Sequence, residues 1–181
     1  MQRLSRDHLL MEVAFLFKAR STCLRRQVGA VLALDGRILS TGYAGAPAGM
    51  DHCSSLNCFP DKPCLRTIHA EANAVAWAAR TGIRTDPSTL YTTASPCIEC
   101  AKLLINAGVQ RVVYAEEYRD TTPILLLEGV GIRVEKLDPP PETTWWSIRR
   151  LVGSGGSNQD SSSNLPEVPE AGALDKSSAG R

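Results

Sequence analysis

Apolar residues recur at helical spacing near the start of the chain. Leu9, Val13 and Leu16 fall on one side of a helix, and Ser5 stands where an N-cap residue is needed. This spacing predicts a first helix that begins after Ser5 and ends near Ala19.

The pattern then changes to strands. Residues 28–34 and 38–43 read as two strands joined by Asp35-Gly36, a dipeptide typical of a tight hairpin turn. Further along, the pattern predicts helices over 69–79, 97–107 and 123–128 and strands over 89–94, 111–115 and 132–137. Alternation of this kind predicts a layered α/β domain in which helices cover a sheet.

Two stretches depart from this pattern. Residues 44–66 form a long segment rich in Gly, Pro and Cys, which is unusual in a compact domain unless something ties it down. One more short helix is predicted at 144–151, and residues 153–181 have almost nothing to bury. We therefore expect a folded domain over 1–152 and a disordered tail over 153–181.

Composition narrows the classes of function. The chain has 181 residues and a formal net charge of +1, which gives no field that would attract a polynucleotide and favours a small-molecule substrate. The longest early apolar run, 9–17, is short and is interrupted by Glu12, so we expect no membrane span and no signal peptide. A cytoplasmic location is expected, with the six cysteines reduced or metal-bound.

Two short motifs carry the candidate chemistry: His69-Ala70-Glu71, and Cys97 and Cys100 after Pro96. His69, Cys97 and Cys100 form a zinc ligand set that leaves the fourth position of a tetrahedral ion open, as catalytic sites do. Both motifs begin predicted helices, where free N–H groups and the helix dipole should lower the thiol pKa values of both cysteines. Taken singly, the cysteines could instead be a structural half-site or a redox pair.

Glu71 completes this pattern. It lies two residues beyond His69, a spacing that does not favour joint ligation from one helix face, so we expect it to carry protons rather than to bind zinc. In deamination of a cytosine ring, Glu71 would protonate N3 and then help to protonate the departing amine. The combination H-x-E with P-C-x-x-C is the signature of zinc-dependent nucleobase deaminases.

Over roughly residues 4–138 the chain resembles the deoxycytidylate (dCMP) deaminase family of the cytidine deaminase superfamily, most of all its bacterial and phage type with the late-competence deaminases. The matching segments are residues 20–23, 28–30, 42–47, 67–74, 95–102, 107–109 and 114–118. The resemblance implies a three-layer α/β/α cytidine-deaminase-like fold with a mixed five-stranded sheet. It also implies hydrolysis of dCMP to dUMP and ammonia, which supplies thymidylate synthesis.

The resemblance extends to ligands and regulation. It implies catalytic zinc on His69, Cys97 and Cys100, with Glu71 as the proton shuttle. It further implies a homo-oligomer, often a hexamer, that responds to dCTP and dTTP with Mg²⁺, and it places Arg80 near the subunit interface and regulatory nucleotide.

Ala44 departs from the family pattern, which has Asn at this position. An alanine side chain makes no hydrogen bond, so contacts to the nucleotide or regulation by dCTP should differ. Deamination of another cytosine compound, such as a 5-modified dCMP or a free nucleoside, therefore stays open. A tRNA- or DNA-editing enzyme and an inactive zinc-binding module are weaker alternatives, and the presence of Glu71 speaks against the second.

The other four cysteines are Cys23, Cys53, Cys58 and Cys64. Together they could hold a second, structural zinc ion that ties down the long segment, and His52 could replace one of them. Some relatives also carry a second zinc near these positions. The alternative is four independent thiols.

Several side chains are candidates for substrate contact. Arg25, Arg26 and Arg119 could bind a phosphate, although surface arginines are more often simply solvated. Tyr118 could flank the base or be an ordinary half-buried tyrosine. Ser95 could touch the ring or the leaving ammonia, or cap the helix that follows it.

Overall fold

The structure, a computed structural model, describes residues 4–59, 64–118 and 120–138. Its elements are α1 (Arg6–Lys18), β1 (Gly29–Leu34), β2 (Arg37–Tyr43), α2 (Ala70–Arg80), β3 (Ser88–Ala94), α3 (Ile98–Asn106), β4 (Val109–Glu116), α4 (Thr122–Gly129) and β5 (Arg133–Lys136). Every predicted helix and strand within the described residues is present. The predicted helix at 144–151 and the predicted tail at 153–181 lie outside them.

Local signals in the sequence explain where elements begin and turn. The Ser5 side chain accepts the N–H of His8 at 3.2 Å and so caps α1. Asp35 and Gly36 have φ values of 51° and 78°, as the two central residues of a tight hairpin turn require. Gly108 ends α3 with a φ of 75°, in the left-handed region that glycine enters without strain.

The five strands form one mixed sheet in the order β2-β1-β3-β4-β5. β1 is antiparallel to both β2 and β3, whereas β3, β4 and β5 run parallel. The predicted mixed five-stranded sheet is therefore confirmed.

Helices cover both faces of the sheet and make the predicted three layers. On one face Met11 of α1 packs in a buried cluster with Val31 of β1. On the other face the buried cluster contains Ala74 of α2, Leu104 of α3 and Leu127 of α4. Among the described helices none is long and apolar enough to cross a lipid bilayer.

A close approach of β2 to α2 fixes the start of α2, where His69 lies. A Cβ atom on Gly42 would lie 2.1 Å from the carbonyl oxygen of Ala70 and 2.5 Å from the backbone nitrogen of Ala74. The strand therefore touches the helix backbone directly, near the start of α2. Because α3 begins just after β3 and lies beside α2, residues 69 and 97 come together.

Candidate active site

The candidate metal ligands lie at the starts of two neighbouring helices. His69 is the N-cap of α2 and Cys97 the N-cap of α3, and neither side chain is used in a capping hydrogen bond. His69 Nδ1 lies 3.4 Å from Cys97 Sγ and 3.5 Å from Cys100 Sγ. The three ligand atoms lie within 4.8 Å of one another. The two N-cap residues, His69 and Cys97, therefore direct their ligand atoms toward the same place.

Hydrogen bonds among these side chains change their protonation. Hydrogen bonding with Cys100, and then with His69, lowers the pKa of Cys97 to about 3. Hydrogen bonding with Cys97 raises the pKa of His69 to about 9. The pKa of Cys100 is raised, first by its hydrogen bond to Cys97 and then by burial. The predicted direction is therefore right for Cys97, although side-chain hydrogen bonds and not the helix start are its largest causes. It is wrong for Cys100, because one sulfur keeps a proton that the other accepts.

This donor set fits a zinc ion. One imidazole nitrogen and two sulfurs are ligands that zinc prefers, and a divalent cation would take the place of the shared protons. Three protein ligands leave a fourth tetrahedral position for water or substrate. The chemistry of the donors thus agrees with the metal that the motif predicts.

Glu71 is a buried carboxyl group beside these ligands. It lies in the first turn of α2 and is only 4% exposed. Burial, and to a lesser extent the charge of Cys97, raises the pKa of Glu71 to about 7. A carboxyl group with a pKa near neutrality can both accept and donate a proton at working pH.

A cavity of about 190 Å³, here called the catalytic pocket, opens onto His69, Glu71 and Cys97. Five of the predicted substrate contacts also line it: Arg25, Arg26, Ala44, Ser95 and Tyr118.

Arg80, which the resemblance implies to lie near the subunit interface and regulatory nucleotide, does not line this pocket. Arg80 stands at the other end of α2, where its guanidinium carbon lies 5.6 Å from the centre of the Trp77 ring. Arg119 lies outside the described residues.

Ser95, Tyr118 and Arg26 form a connected wall of the pocket. The buried Ser95 hydroxyl oxygen accepts the backbone N–H of Tyr118 at 2.7 Å. The Tyr118 ring lies 4.5 Å from the guanidinium carbon of Arg26, a cation–π distance. Ser95 thus fixes the segment that carries the tyrosine. Its proposed capping role is wrong, because Cys97 is the N-cap of α3.

Ala44 presents only a methyl group, and its backbone is tied on both sides. Its N–H donates to Val28 at 2.9 Å. Its carbonyl oxygen accepts the Thr22 N–H at 3.1 Å and the Ser21 hydroxyl at 2.6 Å. The position is therefore held by main-chain bonds that do not involve its side chain.

The remaining four cysteines line one common cavity of about 440 Å³, here called the cysteine cavity. They are Cys23, Cys53, Cys58 and Cys64, and all are free thiols. Within the described residues, no three of them approach as closely as the His69 group does. His52 is exposed and does not line this cavity.

Thr67 is the residue of this region that the sequence analysis missed. It lines both the catalytic pocket and the cysteine cavity. The signal was a hydroxyl side chain two positions before His69, which by itself has many ordinary explanations.

Comparison with known proteins agrees with this geometry. Residues 4–116 match the family model for the cytidine and deoxycytidylate deaminase zinc-binding region. ComE operon protein 2 of Bacillus subtilis (strain 168) is 41% identical over 141 residues, which cover 76% of this chain and 74% of that protein. The deoxycytidylate deaminase of Enterobacteria phage T2 is 30% identical over 185 residues, covering 80% of this chain and 97% of that protein.

A solved structure is similar as well. The crystal structure of dCMP deaminase from the cyanophage S-TIM5, in complex with dCMP and dUMP, superposes with a TM-score of 0.69 at 35% identity. The match covers 76% of this chain and 100% of that one. The layered fold and the open three-ligand group are typical of a metal-dependent hydrolase. This chain belongs to the cytidine and deoxycytidylate deaminase family.

Proposed function

We propose that this protein hydrolyses dCMP to dUMP and ammonia and so supplies thymidylate synthesis. The observation that carries the proposal is Glu71, a buried carboxyl group with a raised pKa in the same pocket as His69 and Cys97. Similarity to deoxycytidylate deaminases, and to a structure that contains dCMP and dUMP, supports this choice of substrate.

His69, Cys97 and Cys100 would hold the catalytic metal. A zinc ion bound there supplies Lewis-acid activation of water at neutral pH. Glu71 accepts a proton from the water that adds to C4 and delivers it to N3 of the ring. The same carboxyl group then takes the proton of the hydroxyl added at C4 and passes it to the amine as the bond from C4 to that nitrogen breaks. Its burial serves this role, because a carboxylate with an ordinary pKa would be too weak a base to take up these protons near neutral pH.

The wall that contains Ser95, Tyr118 and Arg26 supplies contacts to the rest of the nucleotide. Arg25 and Arg26 are positive groups for the phosphate, and the Tyr118 ring holds Arg26 in place. Ser95 holds Tyr118 in turn and keeps its hydroxyl proton available for the ligand. Ala44 offers only van der Waals contact to the sugar or base.

Cys23, Cys53, Cys58 and Cys64 would hold a second, structural zinc ion. Support comes from their presence around one cavity and from the four-sulfur donor set. Residues 60–63, between two of these cysteines, lie outside the described part of the chain. Metal analysis of fully loaded protein should give two zinc ions per chain, and a value of one would contradict this proposal.

The wider organisation is also a proposal. From the sequence we expect the deaminase domain to span residues 1–152; the tail predicted over 153–181 lies outside the described part of the chain. The protein is a homo-oligomer, a hexamer by family resemblance, and dCTP and dTTP with Mg²⁺ regulate it at a site near Arg80. Six free thiols favour a cytoplasmic location.

A comparison of turnover rates tests the function. The panel contains dCMP, dCTP, deoxycytidine and a 5-substituted dCMP, each measured with and without dCTP or dTTP as effector. We expect the highest kcat/KM for dCMP. If another cytosine compound has the higher kcat/KM, the proposal of dCMP as the substrate fails. Deamination of that compound, the alternative suggested by Ala44 in place of Asn, then takes its place.

A further inference from the structure

Thr67 contacts three cysteines that come from different parts of the sequence. Its hydroxyl group donates a hydrogen bond to Cys23 Sγ at 3.6 Å and lies 3.9 Å from Cys53 Sγ. Its backbone N–H donates to Cys64 Sγ at 3.4 Å. A single residue therefore contacts most of the sulfur atoms of the cysteine cavity.

The backbone between Thr67 and His69 is fixed. Ile68 donates its N–H to the Gly45 carbonyl at 2.9 Å and accepts the Gly45 N–H at 3.2 Å. His69 then begins α2, and its carbonyl oxygen accepts the N–H of Asn73 at 2.8 Å. The bonds of Ile68 to Gly45 and those of Thr67 to the cysteines therefore together hold the short segment that leads into His69.

The two cavities also share a wall. Cys23, Arg25, Cys64 and Thr67 line both the catalytic pocket and the cysteine cavity. A change in the cysteines therefore reaches the catalytic pocket through shared side chains as well as through the backbone.

We propose that Thr67 is a positioning residue that couples the cysteine cavity to the catalytic metal group. By hydrogen bonding to the cysteine sulfurs, it holds His69 where Cys97 and Cys100 can bind an ion together with it. The proposal rests on the proposed function in one respect, which is that His69 is a metal ligand. Hydrogen bonds made directly to metal ligands commonly change metal affinity by about 10–100-fold, and Thr67, which acts on His69 through the backbone, should have a smaller effect.

The test uses three variants of the full-length, zinc-loaded protein. Thr67→Val removes the hydroxyl but keeps the branched shape, whereas Thr67→Ser keeps the hydroxyl. Thr81→Val is the matched control, since the Thr81 hydroxyl donates to the Trp77 carbonyl at 2.9 Å at the far end of α2. The measurement is the rate of zinc release to a chromogenic chelator, and the phase lost in Cys97→Ser identifies the His69 site.

We expect Thr67→Val to release zinc from the His69 site about fivefold faster or more, below the range for a direct ligand partner, while Thr67→Ser and Thr81→Val stay within about twofold of the original protein. Release at the original rate from folded Thr67→Val overturns the proposal. If Thr67→Val does not fold, Thr67→Ala replaces it, because it also removes the hydroxyl and leaves every cysteine in place. Unchanged release from the His69 site in folded Thr67→Ala is then the contradicting result.

Zinc release and deamination are separate measurements. A protein that does not turn over dCMP refutes the proposed function but leaves the comparison of release rates intact. Conversely, equal release rates in a protein that turns over dCMP refute only the role of Thr67.

Discussion

The two groups of cysteines in this chain differ in what holds them in place. Cys97 and Cys100 lie at the start of α3, and His69 at the start of α2, so regular structure directs the three ligand atoms to within 4.8 Å of one another. The cysteines of the cysteine cavity lie instead in segments without helix or strand, and three of them, Cys23, Cys53 and Cys64, contact Thr67. Ligands on helix starts are preorganised for a metal, whereas ligands on a loop depend on the metal and on neighbouring hydrogen bonds for their arrangement.

The sharpest test of this contrast compares one cysteine from each group. Cys100→Ser should lose the catalytic zinc and reduce turnover to background, because two protein ligands do not retain an ion that three hold. Cys58→Ser should keep the zinc of the His69 site. Metal content and dCMP turnover are measured on both after gel filtration. Stoichiometric zinc at the His69 site of Cys100→Ser would contradict the assignment.

At the His69 site, the loss of proton transfer by Glu71 should be separable from the loss of zinc. Glu71→Ala, and its isosteric counterpart Glu71→Gln, should retain zinc and fold but lower kcat by about 10²–10⁴-fold, since general acid–base catalysis is lost. Turnover is measured at saturating dCMP, together with zinc content and the circular dichroism spectrum. Substantial activity in Glu71→Gln would mean that another group moves the proton.

Within the second group, the main effect should be on stability. Cys53→Ser removes a proposed ligand of the structural zinc and should lower Tm by about 5–10 °C, on the order of 2–3 kcal/mol. The kcat of Cys53→Ser at saturating zinc should stay close to that of the original protein, in contrast to the large decrease expected for Glu71→Gln. Ser55→Ala, an exposed neighbour in the same loop, is the control. An unchanged Tm would argue for four independent thiols.

The smallest effect concerns an ion pair remote from both groups. Arg111 donates two hydrogen bonds to Asp7, at 2.9 and 2.8 Å, and lowers the pKa of Asp7 from its ordinary 3.8 to about 2. Because the unfolded chain takes up this proton at higher pH, the pair stabilises the fold fully above about pH 4–5, and the contribution is lost as the pH falls through about 2.

Asp7→Asn should therefore lower the free energy of unfolding by roughly 1–3 kcal/mol at pH 7, without changing zinc content. The difference in the free energy of unfolding between the original protein and Asp7→Asn should shrink as the pH approaches 2. Any release of metal at low pH affects both proteins equally and does not change this difference. A difference that grows on acidification would contradict the sign. The variant also shows whether zinc content follows general stability.

The sequence predicted the parts of this molecule that depend on local signals. Ser5, Asp35-Gly36 and Gly108 each act within a few residues, so element boundaries could be placed to within about two residues of the structure. The close approach of the candidate ligands His69, Cys97 and Cys100 follows from short motifs for the same reason.

Long-range contacts left no such signal. The stacking of Arg26 on Tyr118 joins residues far apart in sequence, and neither position is marked by periodicity. The contacts of Thr67 with Cys23 and Cys53 likewise depend on how a loop without regular structure folds back. The pKa of Cys100 could not be predicted either, because it depends on which of two neighbouring sulfurs carries a proton.

The main-chain bonds around Ala44 have a consequence for protein engineering. Since these bonds do not use the side chain, residue 44 can be varied without removing them, but Ala44 is only 4% exposed, so a larger side chain must find its space in the pocket itself. Gly42, two positions earlier, has no such freedom, because any side chain there would collide with the backbone of α2. A library built at residue 44 on an unchanged Gly42 is therefore a direct way to redesign which cytosine compounds the pocket accepts.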